Sequence, residues 1–246
     1  MESKFGVGVN MRFKRILTGI LVFFFMGIYC YFEKTKLNPH YGRIFYKLAW
    51  ECEHKCSVQK QRGYYQKALY HDPALGDVYY RIGFLLEKEG KSAEALPWYK
   101  KAASLDFTHH EAHYKVGLQY YREHDYDMAL RHLLMSDQAE PSYGLWHNQN
   151  EPHPSIWNNN YYLARIYEKR ELYQLALMHY KLSIARCGTI SFRPWVGLGV
   201  IYHLMGDDRN EASQASTLWS VREGAEAARQ LDRYIKTGYY PDILRD

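Results

Sequence analysis

Cysteine is scarce in this chain. Cys30, Cys52, Cys56 and Cys187 are the four present in 246 residues, too few and too unevenly spaced for a disulfide scaffold. No C-x-x-C pair occurs, and no C-x-x-C-H haem-attachment signature, so the sequence is not organised around a metal or a covalent haem. Glycine-rich phosphate loops, a G-x-S-x-G elbow and a paired-carboxylate motif are also missing. The net charge of +5 is spread over interleaved acidic and basic residues, with no long basic block beyond the N-terminus, which argues against nucleic acid as a partner. Cys52 and Cys56 stand four apart near the expected end of a helix. That spacing on a regular helix is poor for a disulfide, so they read as small core and turn residues, with oxidation the alternative outside the cytoplasm.

Hydrophobic residues make up 47% of the chain, enough for a real core, and 24 tyrosines supply most of the aromatic content. Residues 1–15 form a basic tail. Residues 16–32, ILTGILVFFFMGIYCYF, carry no charge, at the short end of what spans a bilayer. No small-residue cleavage site follows, and Tyr29 before Cys30 departs from a lipoprotein signal, so the segment reads as an uncleaved anchor. Arg12, Lys14 and Arg15 crowd its N-terminal side, while Glu33 offsets Lys34 and Lys36 on the other. The expectation is a cytoplasmic N-terminus and an extracytoplasmic bulk, periplasmic in a bacterium. Residues 33–41 read as a linker in which Asn38-Pro39 stops a helix.

The remainder is organised by an internal repeat. Stretches starting at 42, 76 and 110 recur with a 34-residue period, and two more start at 157 and 192 after an insertion at 142–156. Repeat position 7 is Leu48, Ile82, Val116, Leu163 and Leu198; position 8 is Ala49, Gly83, Gly117, Ala164 and Gly199. Position 20 is Ala95, Ala129 and Ala176 in units two to four, and position 24 is Tyr65, Tyr99, Leu133 and Tyr180. Small residues at 8 and 20 let two helices approach; large ones at 4, 7, 11 and 24 fill the space between hairpins. Departures are Gln61 and Glu211 at position 20, Cys52 at position 11 and Asn160 at position 4.

In these positions the chain resembles the tetratricopeptide repeat family. The resemblance implies an all-α, right-handed superhelical solenoid of about five helix-turn-helix hairpins: 42–75, 76–109, 110–141, 157–190 and 192–207 onward. Residues 208–238 read as capping helices, one or two, because Leu218, Val221, Ala225, Ala228, Leu231 and Ile235 form a stripe at spacings of three and four. Residues 239–246 read as a tail.

The resemblance also implies that positions 2, 5, 9 and 12 line a concave groove. Its expected partner-binding residues here are Tyr46, Trp50, Tyr80, Phe84, Tyr114, Leu118, Tyr121, Tyr161 and Arg165, with padding of the groove by the same side chains as the alternative. Family members that clamp a carboxylate carry Lys and Asn at positions 5 and 9; tyrosine and apolar residues here favour an extended or helical apolar segment. The insertion, rich in Pro, Asn and Gly, offers Trp146, His147, Glu151 and His153 as loop residues that bind or fold back. His109, His110 and His113 lack a further ligand and an H-E-x-x-H context, so they read as structural. The expected function is that of a membrane-anchored scaffold that binds proteins in an aromatic groove, with no enzymatic activity, cofactor, metal, small-molecule substrate or nucleic acid. A fixed structural subunit of a large complex, held by repeat–repeat contacts, is the alternative.

Overall fold

The computed structural model describes residues 23, 24, 26, 38–53, 55–138, 154–187, 191–220 and 224–245. All regular structure among them is helical. No helix among the described residues is long and apolar enough to cross a membrane; most of 16–32 lies outside them. The chain divides into two compact units, residues 1–78 and 79–246.

The first unit holds α1 (Pro39–Glu51) and α2 (Val58–His71). Asn38-Pro39 starts a helix rather than stopping one. Asn38 accepts the His40 amide at 3.0 Å as the N-cap, and Pro39 occupies the first turn, where no amide hydrogen is needed. Gln61, at a repeat position expected to be alanine, is buried and donates to the Ala49 carbonyl at 3.2 Å, so the polar group is satisfied. Cys52 and Cys56 form a disulfide, contrary to the reading as unpaired core and turn residues. That reading placed both on one regular helix. Instead α1 ends at Glu51, Cys52 caps it, and the turn that follows brings the two Cα atoms to 5.1 Å.

The second unit contains α3 (Gly76–Lys88, which begins just before it), α4 (Ser92–Leu105), α5 (His110–Arg122) and α6 (Tyr126–Gln138). After the insertion come α7 (Pro154–Lys169), α8 (Tyr173–Cys187), α9 (Arg193–Leu204), α10 (Asp208–Ser220) and α11 (Ala225–Thr237). Successive helices pair as hairpins, and α11 packs on both α9 and α10. The stripe from Leu218 to Ile235 therefore spans two helices. Gly224 makes the break possible: a Cβ there would sit 2.6 Å from the Leu218 carbonyl oxygen. Helix α7 starts three residues ahead of the sequence boundary at 157.

The hairpins close by one repeated contact. A Cβ on Gly83 would lie 2.8 Å from the Tyr99 ring, and one on Gly117 2.9 Å from Leu133. The small residue at position 8 thus seats the large residue of position 24, as burial of both demands. Polar substitutions in the pattern are likewise paired. Asn159 donates to the Leu133 carbonyl at 3.1 Å and Asn160 to Asp137 at 2.9 Å, stitching α7 to α6 across the insertion. The His179 ring meets Asn160 at 2.9 Å, and Glu211 meets His203 at 2.8 Å.

The turn inside each hairpin of this unit is also shared. Amides of Lys91, Asp125, Leu172 and Asp207 reach back to the carbonyls of Leu86, Tyr120, Tyr167 and Tyr202, each at 2.9 Å. This closure needs a left-handed residue just before, which is Gly90, His124, Glu171 and Gly206 with φ of 78°, 61°, 60° and 69°. Glycine adopts that conformation freely, whereas other residues are strained by about 1–2 kcal/mol. Glu171→Gly is therefore expected to stabilise the chain by roughly 1 kcal/mol in urea unfolding, and Gly90→Ala to destabilise it by a similar amount. Equal stability of Glu171→Gly and the parent would contradict the strain argument.

Candidate functional site

The last residues of the chain return onto the face formed by the first helices of successive hairpins. Gly238, with φ 70°, ends α11 and turns the backbone back, and Asp242–Leu244 form a short 3-10 turn. Helices α7, α9 and α11 receive this segment. Arg165 of α7 donates through Nη1 to the Tyr240 hydroxyl and through Nη2 to the Leu244 carbonyl at 2.9 Å. Arg193 at the start of α9 donates to the carbonyls of Ile243 at 2.8 Å and Arg245 at 3.3 Å. Gln230 of α11 accepts the Ile243 amide at 2.8 Å. Three consecutive carbonyls are thus read by two guanidiniums, whose planar forks suit such multiple acceptors. Leu244 is fully buried in the cluster formed by Tyr161, Val196, Val200, Leu231 and Tyr234.

Beneath the segment lies a buried ion pair. Arg165 Nη1 is 2.9 Å from Glu168 Oε2, one turn along α7, and both side chains are almost wholly enclosed. Glu168 also accepts the hydroxyls of Tyr180 and Tyr240. Burial opposes the charge on Arg165, but the surrounding Tyr180, Glu168 and Tyr240 more than offset it and hold the guanidinium charged. Burial, reinforced by Glu168, pushes the Tyr240 hydroxyl above its ordinary pKa and keeps it protonated. The two Nη atoms of Arg165 and both carboxylate oxygens of Glu168 thus have hydrogen-bond partners, which offsets much of the cost of burying the pair.

The residues expected to line a groove sort differently. Tyr80, Tyr114, Tyr121, Leu118 and Tyr161 are buried, with Tyr161 at 0% exposure, as is Arg165. Tyr80 and Tyr161 turn inward onto the position-24 ring of their own hairpin, and Tyr114 joins the cluster around its position-24 Leu133. Ring centroids are 5.5 Å apart for Tyr80 and Tyr99, and 6.2 Å for Tyr161 and Tyr180. Their side chains lie beneath the surface. Phe84 is half-buried, with Lys88 Nζ 4.6 Å from its ring centroid. In the first unit, Tyr46 and Trp50 are half-buried, and Tyr46 packs on Tyr65 at 6.2 Å. Trp146, His147, Glu151 and His153 lie outside the described residues.

Arg193, Gln230, Tyr240 and Leu244 escaped the sequence reading. Arg165 at position 9 and Glu168 at position 12 were the available signal: a lone cation in a row otherwise filled by Trp50, Phe84, Leu118 and Val200. A second polar feature is a recess of about 20 Å³, room for one water, lined by Glu87, Tyr99, Lys115 and Arg122 among others. Burial tends to raise the Glu87 carboxyl, but hydrogen bonds from Lys115 at 2.7 Å and Tyr99 at 2.7 Å bring it below its usual pKa. Among the described residues, no group of three or more His, Cys, Asp or Glu is placed to hold a metal.

Solved structures share this architecture. YrrB, described as a TPR protein with an unusual peptide-binding site, superposes with a TM-score of 0.57 at 14% identity, over 77% of this chain and 90% of its own. The fold is that of tetratricopeptide repeat proteins. MamA from Desulfovibrio magneticus RS-1, residues 41 to the end, gives a TM-score of 0.51 at 16% identity, over 78% of this chain and 95% of its own. PilF from Pseudomonas aeruginosa gives 0.51 at 15% identity, over 81% and 92%. No protein-family model matches the sequence, and no curated protein matches it.

Two outcomes follow from the geometry. Arg165→Ala leaves Glu168 buried without its cation and is expected to cost about 3–5 kcal/mol in chemical denaturation. A loss under 1 kcal/mol would mean that the pair is hydrated. The second outcome concerns pH. His113 and His132 meet at 3.0 Å through their Nδ1 atoms, so both rings cannot be charged. Burial, with His113, Arg131 and Lys100, holds His132 down at about 4 against an ordinary 6.5. The unfolded chain then takes up a proton that the folded chain refuses. Stability is full above about pH 6.5 and declines as pH falls from there toward 4. In His132→Gln the fall in melting temperature between pH 7 and pH 5 should shrink; an unchanged fall would place the proton uptake elsewhere.

Proposed function

We propose that this chain is a membrane-anchored protein-interaction scaffold that helps to assemble or stabilise a multiprotein complex at the cell envelope. One observation carries the reading. The face formed by α7, α9 and α11 already holds a short turned segment, by main-chain hydrogen bonds and two seated side chains, a mode of contact suited to peptides. The description of YrrB as having a peptide-binding site is compatible with such a use of the fold. In this proposal half-buried Phe84 adds aromatic contact area within the second unit, and half-buried Tyr46 and Trp50 offer it separately in the first.

The anchor is assigned to residues 16–32 on their uninterrupted apolarity, and the basic residues ahead of it favour an extracytoplasmic array. The Cys52–Cys56 disulfide supports the same side, because such bonds persist in oxidising compartments. A second reading, a fixed subunit of a larger assembly, draws on Leu172, Leu175, Met178 and Leu182, which run exposed along and just ahead of α8.

Affinity purification of the full-length chain from detergent-solubilised membranes tests both readings. A scaffold yields partners in sub-stoichiometric, exchangeable amounts, whereas a subunit yields one complex of fixed composition. Recovery of the chain alone, from the soluble fraction, would overturn the proposal. Thiol-blocked extraction followed by mass spectrometry should show Cys52 and Cys56 oxidised in cells; a reduced pair would count against the extracytoplasmic assignment.

A further inference from the structure

The seat occupied by residues 240–245 has the character of a recognition site, although the occupant is part of the same chain. Its hydrogen bonds run largely to main-chain atoms: the carbonyls of Ile243, Leu244 and Arg245 and the amide of Ile243. Main-chain contacts of this kind accept any segment that adopts the same backbone turn, and side-chain pockets add selectivity. Two such pockets are present. Tyr240 places its hydroxyl between Arg165 and Glu168, and four residues later Leu244 fills the apolar cluster of α7, α9 and α11. Between them Asp242 stays exposed and pairs with Arg245 at 3.2 Å, so it contributes nothing to the seat. The segment follows a glycine turn, and its ties to the rest of the fold converge on Arg165, Glu168, Arg193, Gln230 and the cluster around Leu244. Its only helical element among the described residues is one 3-10 turn, so it can leave the seat without unwinding an α-helix.

We propose that the Arg165–Glu168–Arg193 surface is a peptide-reading site that residues 240–245 occupy in cis. A partner protein fills it in trans with a segment of the same turned backbone shape, bearing a tyrosine and, four residues on, a leucine. The tail is then a built-in competitor: it sets a threshold that the partner segment must exceed, lowering the apparent affinity by the fraction of chains in which the seat is open. This rests on the protein-binding reading of the fold and names the partner's chemistry.

The test uses the full chain and a fluorescein-labelled synthetic peptide of residues 238–245, GYYPDILR, as the probe. In the full-length double variant Tyr240→Ala with Leu244→Ala the tail loses both seated side chains. That variant is expected to bind the peptide about tenfold or more tightly than the parent chain does in fluorescence anisotropy. Adding Arg193→Ala to the double variant should remove the gain. A double variant that melts cooperatively yet binds no better than the parent overturns the proposal and leaves the tail as a fixed part of the core. Should the double variant fail to fold, saturation-transfer NMR on the parent with millimolar peptide decides instead. Transfer to the peptide's second tyrosine and leucine that saturates with concentration supports exchange at the seat, and its absence overturns it. If size-exclusion chromatography shows the parent as a concentration-dependent dimer that the double variant loses, the occupant is a second copy, and the partner assignment falls.

Failure of this inference is separable from failure of the scaffold reading. Partners that co-purify equally with the parent and with the folded double variant bind elsewhere, so the inference falls while the scaffold stands. The absence of any co-purifying partner from both would instead remove the scaffold.

Discussion

A helical hairpin has two apolar faces and can cover only one of them by itself. Everything else in the structure follows from how that constraint is met. Within the hairpin, a small residue on the first helix receives a large one from the second, as Gly83 receives Tyr99 and Gly117 receives Leu133. The remaining face must be covered by the next hairpin, and the last one needs a closing element. Here α11 provides that closure with Ala227, Ala228 and Leu231, all buried. The chain then continues past its cap and lays residues 240–244 over the first-helix face of the end hairpins. Termination of the array and coverage of this first-helix face are thus physically one event, joined through Leu244 and the Arg165–Glu168 pair.

The polar exceptions to the repeat pattern obey the same logic. Burying a hydrogen-bonding group is costly unless it is paired, so each departure has its own compensation. Gln61 caps the Ala49 carbonyl, Glu211 meets His203, and Asn159 and Asn160 hold α7 to α6 where the continuous chain does not. These bonds make units three and four neighbours in space although residues 139–153 separate their helices in sequence. What looks irregular in the sequence is in several cases a specific tie between elements.

Much of the helical pairing was legible from the sequence because it depends on periodic side-chain size. The positions of Gly83, Gly117, Tyr99 and Leu133 announced which helices would meet. The αL turn was legible at Gly90 and Gly206 but hidden at His124 and Glu171, where the backbone adopts the same conformation without a glycine. Side-chain direction was less accessible. A tyrosine at position 5 is equally consistent in sequence with a groove wall and a core filler, and the inward ring contacts Tyr80–Tyr99 and Tyr161–Tyr180 depend on directions that spacing does not encode. The disulfide was missed because its feasibility turns on where α1 ends, a matter of one residue. The tail site was missed for a different reason: its pieces lie as far apart as residues 165 and 244, and no local pattern connects an arginine on one helix with carbonyls after the last.

The central claim is that residues 239–245 form a seated but separable segment on the first-helix face. Hydrogen–deuterium exchange of the full-length chain at peptide resolution tests it most directly. An intermediate rate is expected for this segment, slower than an unstructured peptide because the Ile243 amide is bound to Gln230, yet faster than the core of α9. Exchange at the unstructured rate would mean that the seat is empty in solution, and exchange as slow as α9 would mean that the segment opens only when the fold does. Either result would contradict the account.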